Sequence, residues 1–300
     1  MSSEKKLTIK RLVIFLILSF LPFMVLIPIL WAVYGEPIFS GENEQLVVVV
    51  YILGIFGMMI PAAANLITRL VTKEGFANSY LGVHFKGKTG YWIASVTVKL
   101  IEGWIGLVIL WAVCMRGTAF TEAYPNINMQ TIGMYLLQLA FSVIIFFPSF
   151  GEEWGWRGYM MPKLLKLMPK SAAIVVGGVI WGLWHAPLTV AGHNFGTDYP
   201  GYPFTGILVM CLFCVLMNCF LTLVTEKTHS IYPASFIHMI NNNMGAGVLL
   251  TFFGSEAVLQ KVEGLNSIEL FFAVMGFSMI TAVISFILFV KKDKAGIQSI

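Results

Sequence analysis

The chain has 300 residues, of which 58% are hydrophobic and only 11% charged. A soluble domain carries about a quarter charged residues, so this composition, with a mean hydropathy of +0.82, excludes a soluble globular protein and defines a polytopic membrane protein. The formal net charge of +4 reflects lysines and arginines gathered beside apolar runs and gives no case for nucleic-acid binding.

Eight runs are long enough to cross about 30 Å of hydrocarbon as helices of roughly 20 residues. In chain order they are Leu12–Val33, Leu46–Leu66, Tyr91–Cys114, Thr131–Phe150, Ser171–Val190, Phe204–Val224, Ile231–Phe253 and Ile268–Val290. None alternates as a barrel strand would, so the expected fold is all-α, a bundle of eight transmembrane helices forming one membrane domain over residues 1–300. The first run follows Lys5, Lys6, Lys10 and Arg11. It is too long for the apolar core of a signal peptide and lacks a clear small-x-small cleavage site, so it is read as a span.

Topology follows from the basic residues. With the N-terminus inside, the cytoplasmic segments collect Lys5 to Arg11, then Arg69, Lys73, Lys86 and Lys88, then Arg157, Lys163, Lys166 and Lys170, then Lys227, and last Lys291, Lys292 and Lys294. Arg116 and Lys261 fall outside, and Lys99 lies within a span. The positive-inside rule gives a multi-pass protein of the cell membrane with both termini cytoplasmic.

Runs one and two, joined by a loop with Glu36, Glu42 and Glu44, read as peripheral scaffold with Asn65 as their polar residue. Thr72–Thr89 mixes lysines with Phe76, Tyr80 and Phe85 and reads as an interfacial segment that includes His84. In the third run Lys99 and Glu102 are three apart and adjacent on one helix face. A mutual buried pair is the favoured reading, and a polar chamber lining is the alternative. Met160–Lys170 reads as a surface helix at the interface, and Gly178-x-x-x-Gly182 as a face that admits close helix approach. All four cysteines (Cys114, Cys211, Cys214 and Cys219) lie in spans, where packing is the favoured role even for Cys211-x-x-Cys214. His193 and Asp198 read as solvent-facing loop residues.

The chemistry concentrates in three places. Gly151–Tyr159 carries Glu152, Glu153 and Arg157; Glu153 and Arg157, four apart on a helix, are expected to pair, leaving Glu152 as the carboxylate free to titrate and act as a base. His185 lies in the fifth run, and ionisable groups within spans usually face an interior cavity. His238 and Asn242, four apart in the seventh, can point two N–H groups at a developing oxyanion. There is no Gly-x-Ser-x-Gly, no His-Glu-x-x-His and no paired aspartate, so a glutamate-activated water remains, with or without a metal. If zinc is used, His185, His238 and Glu152 are its candidate ligands.

Glu152-Glu153-x-x-x-Arg157, Trp181-x-x-x-His185 and His238-x-x-x-Asn242 resemble, in this order, the three motifs of the CPBP (Abi) intramembrane protease family, over about residues 131–250. That family includes the type II CAAX prenyl endopeptidases and bacteriocin-processing and immunity relatives. Trp181 stands where the family often has phenylalanine. The resemblance implies that Glu152 and His185 activate a water while His238 and Asn242 stabilise the oxyanion. The expected substrate is a membrane-associated peptide or lipidated protein, of CAAX or leader type, cut near the cytoplasmic leaflet. The alternative is a non-catalytic scaffold or immunity protein that binds a peptide partner. One difficulty is visible in the spacing. His185 lies about 21 Å along the fifth run from Ser171, whereas Glu152 sits at the end of the fourth. They meet only if the fourth continues past Tyr159 or the fifth begins outside the bilayer.

Overall fold

The computed structural model describes residues 2–35, 38–39, 44–263, 265 and 267–291. Glu36 and Glu42, with Lys292 and Lys294, lie outside the described residues. Helix α1 (Ser3–Tyr34) starts where the Ser2 hydroxyl accepts the Lys5 N–H and stops at Gly35, whose φ of 73° suits glycine. The second run is α2 (Glu44–Gly57) and α3 (Ile60–Val71), which begins with Pro61 in its first turn. Then come α4 (Thr89–Cys114) and the short α5 (Phe120–Ala123).

The fourth run departs most from expectation. It splits at Ser142 into α6 (Met129–Phe141) and α7 (Val143–Gly155), bent by 47°. The chain does not leave the helix at Phe150. It passes through a π-helical turn, Trp156–Met160, into α8 (Met161–Leu167) and stops only at the extended Met168 before Pro169. Met160–Lys170 is therefore not a separate surface helix, and Met161, Lys163 and Leu164 are buried. Helix α9 (Lys170–Trp184) returns antiparallel. From Glu152 down to Met168, and from Pro169 up to His185, the chain climbs about 24 Å each way. This places the two side chains at one height and removes the difficulty of depth.

Helix α9 leads through α10 (Ala186–Val190) to α11 (Phe204–Thr228). The seventh run holds two shorter helices, α12 (Tyr232–Asn243) and α13 (Ala246–Phe253), followed by α14 (Glu256–Glu263) and α15 (Ser267–Val290). No strand occurs among the described residues. Four stretches are long and apolar enough to cross a membrane: Ser3–Tyr34, Leu46–Val71, Thr89–Cys114 and Phe204–Thr228, with the bent α6–α8 unit as a fifth. The apolar helices Lys170–Trp184 and Ser278–Val290 are shorter.

Close packing sets the bundle. A Cβ at Gly178 or Gly182 would collide with the backbone of Val215 or Cys211, so these glycines let α9 and α11 meet as the spacing predicts. Gly151 and Gly155 do the same for α7 against Met58, Met59 and Pro61. At one end the basic residues are tied together. The Lys88 ammonium donates to the Lys227 carbonyl, Lys170 donates to that of Phe289, and Arg11 donates to the Thr72 hydroxyl. Thr72–Lys88 is an irregular loop at this basic end. Its Gly75 and Asn78 carbonyls accept from the buried Arg69, and its Glu74 accepts from Lys163 and Tyr159 at 2.9 Å each. Burial alone would raise the Glu74 pKa, but those two donors and the charges of Lys163 and Arg11 hold it below the usual carboxylate range.

Candidate active site

Gly151–Tyr159 lies in the middle of the bundle, and every residue in it except Trp154 is buried. The π turn widens the helix over one turn, a distortion frequent at functional sites. Here it turns Trp156, Arg157 and Tyr159 all into protein. Glu153 and Arg157 form the expected ion pair, Oε1 to Nη1 at 3.0 Å, with 0% and 1% side-chain exposure. The guanidinium also lies over the Trp181 ring, 4.1 Å from its centroid, so the cation is held by a carboxylate and an aromatic face together.

Glu152 is 2% exposed. Its Oε2 accepts from the Trp181 indole N–H at 2.8 Å and from that of Trp156 at 3.3 Å. No protein hydrogen bond engages Oε1 among the described residues. His185 closes α9, where its Nδ1 is 2.9 Å from the Trp181 carbonyl. A carbonyl only accepts, so Nδ1 carries the proton and Nε2 keeps a lone pair. The Trp184 ring stands edge-on to this imidazole at 4.8 Å.

His238, on α12, reaches Glu153 rather than standing alone. Its Nδ1–H donates to Glu153 Oε1 at 2.8 Å, which leaves Nε2 facing away from that carboxylate. The one oxygen of Glu153 thus joins Arg157 and His238, and the Trp181 ring lies 5.5 Å from the His238 ring. Asn242 lies one turn further along α12, is exposed, and accepts from the Asn241 amide at 3.2 Å.

Glu152, His185, His238 and Asn242 all line one cavity of about 460 Å³, a size typical of ligand sites. Its walls are otherwise mainly apolar, with Phe23, Leu53, Phe213 and Phe271 among them. His193, expected in solvent, also lines the cavity, 4.8 Å ring to ring from Phe39, and burial pushes its pKa down to about 4. The roles of Trp181 and Trp156 went unread in the sequence. Trp181 precedes His185 by four residues and so shares its helix face, a spacing that marked an aromatic position but not a hydrogen-bond donor. The Glu153–His238 contact joins residues 85 apart in sequence and left no local signal.

The donor set does not fit a metal. Among the described residues no group of three or more His, Cys, Asp or Glu side chains stands close enough to hold an ion, and Glu152 Oε2 is already engaged by two indoles. The four cysteines are free. Lys99 and Glu102 pair with each other, and Ser278 donates to Glu102 at 2.8 Å. This is the mutual buried pair favoured from the sequence, and it stands apart from the cavity.

The chain is thus an all-helical membrane protein in which a carboxylate and two histidines line one internal chamber. More specifically, residues 132–244, less than half of the chain, match the family model for type II CAAX prenyl endopeptidase Rce1-like proteins. A search of curated proteins finds no match.

Proposed function

We propose that the chain is an intramembrane endopeptidase that hydrolyses a peptide bond of a membrane-associated peptide, of CAAX or leader type, with Glu152 as the base. The observation that carries this reading is the arrangement around Glu152. Two indole N–H groups fix one carboxylate oxygen, and the residue lines a cavity shared with His185 and His238. A water held between Glu152 Oε1 and His185 Nε2 gives its proton to Glu152 as its oxygen attacks the scissile carbonyl. The carbonyl oxygen becomes an oxyanion. It accepts from the Asn242 amide and from Nε2–H of His238 in its imidazolium form, whose Nδ1–H remains on Glu153. With His238 protonated, two cations balance Glu152 and Glu153. Collapse of the intermediate breaks the C–N bond, and Glu152 returns its proton to the leaving nitrogen. No step passes through a metal.

The frame for this chemistry is a single membrane domain over residues 1–300, with its protease core at about 131–250. Eight spans and cytoplasmic termini are part of the reading. They draw support from the apolar runs and from the gathering of lysines and arginines at one end.

The test is cleavage of fluorescence-quenched peptides by the detergent-solubilised protein, with a farnesylated CAAX peptide, its unprenylated form and a leader-type peptide as probes. Wild-type protein is expected to cut at least one of them, and Glu152→Gln to lose about 10²–10⁴-fold in rate. Cleavage unchanged in Glu152→Gln would contradict the mechanism. Failure of wild type on all three, with binding intact, would favour the non-catalytic scaffold reading.

A further inference from the structure

The cavity at Glu152 is closed toward the basic end of the bundle and open away from it. On the basic side, Trp156, Tyr159 and Phe15 are fully buried, with the Phe15 ring 5.5 Å from that of Trp156 and 5.1 Å from that of Tyr159. These rings form a plug between the carboxylate and the network of Arg11, Glu74 and Lys163. On the far side the lining includes Asn194 and Asn242, both exposed. Depth agrees. Glu152 stands about 16 Å along its helix from Lys163, and His185 about 22 Å from Lys170, which is past the middle of a hydrocarbon core of about 30 Å.

Charge then gives the two ends an address. The basic end collects Lys5 to Arg11, Arg69, Lys73, Lys86, Lys88, Lys163 to Lys170, Lys227 and Lys291. Arg157, counted with that end in the sequence reading, lies inside the bundle. Among the described lysines and arginines only Arg116 and Lys261 stand at the opposite end, with Glu122, Asp198 and Glu256. Short basic segments of membrane proteins stay in the cytoplasm, so the cavity mouth is on the other side.

We propose that the cavity opens to the extracytoplasmic side and takes a peptide presented there, either exported or the outward-facing part of a membrane-anchored chain. Apolar side chains beside its scissile bond match the walls at Phe23, Leu53 and Phe213. This reverses the expectation of cleavage near the cytoplasmic leaflet. The peptide as substrate rests on the proteolytic reading above; the side of the mouth does not.

Labelling with a membrane-impermeant maleimide in intact cells tests this, with the unsubstituted protein as blank for its four native cysteines. Asn194→Cys and Asn241→Cys are expected to react before permeabilisation, and Lys166→Cys only after it. The reverse pattern overturns the proposal, as does reaction of Asn241→Cys only after permeabilisation. If Asn241→Cys fails to accumulate, Asn194→Cys and Lys166→Cys decide between the two sides by themselves. The readout needs no cleavage, so an inactive protein that labels as expected keeps the mouth where it is placed and counts against hydrolysis alone.

Discussion

Two clusters of charge are buried among apolar helices in this protein, and they differ in the open volume beside them. Lys99, Glu102 and Ser278 close on one another beside a void of about 10 Å³, with no room for more than a single water. Around Glu152, the ion pair of Glu153 and Arg157 is equally buried, but Glu152 Oε1 and His185 Nε2, without a protein partner among the described residues, stand next to about 460 Å³ of cavity. Burial of charge alone therefore does not mark a site. What sets the Glu152 cluster apart is the large cavity that its side chains line.

Substitutions in the two clusters are expected to differ in effect. The largest structural effect is expected at Arg157. Removing it strands Glu153 in the bundle, so Arg157→Ala should lose about 3–5 kcal/mol of stability, read as a lower midpoint in denaturant. A smaller effect belongs to Trp181. Trp181→Phe keeps a ring over Arg157 but loses the indole donor to Glu152. A hydrogen bond to a charged group is worth about 1.5–3 kcal/mol, so cleavage should slow roughly 10–100-fold with little loss of fold. The smallest effect is expected at the closed cluster. Replacing Lys99 and Glu102 together by methionine removes both charges at once, and such swaps are often neutral or stabilising. Cleavage by that double variant should match wild type, and a large loss would show that the cluster is coupled to the chamber.

At the basic end the prediction concerns pH. Glu74 is held below its ordinary pKa in the folded protein, so its stabilising contribution is present above the unfolded value of about 4.3. It is lost as pH falls through the folded value. Glu74→Gln should therefore be less stable than wild type at pH 7, and the gap should close on acidification below pH 4. A gap that widens in acid would contradict the assigned contacts.

Much of this was legible in the sequence because it is local. The helical class follows from long apolar runs, Glu153–Arg157 from a four-residue spacing, and the close-packing face of α9, though not its partner, from Gly178 and Gly182. The depth of Glu152 was legible only as a conflict between two distances. Apolar runs mark where a helix meets lipid, whereas residues 151–161 are helical because they are buried in protein, and that burial tolerates charge and glycine. What stayed hidden was long-range. His238 on Glu153, Phe39 on His193 and the loop carbonyls around Arg69 each depend on how distant elements pack, which no spacing records. The basic charge of Arg157 was assigned to a loop for the same reason.

The central claim is that Glu152, and not merely any buried glutamate, performs the hydrolysis. It is tested most directly by measuring cleavage of one quenched peptide by Glu152→Gln and Glu102→Gln side by side, at matched amounts of folded protein. The account predicts a loss of about 10²–10⁴-fold for Glu152→Gln and a rate within a few-fold of wild type for Glu102→Gln. Equal rates for the two variants, whether both retained or both lost, would contradict it.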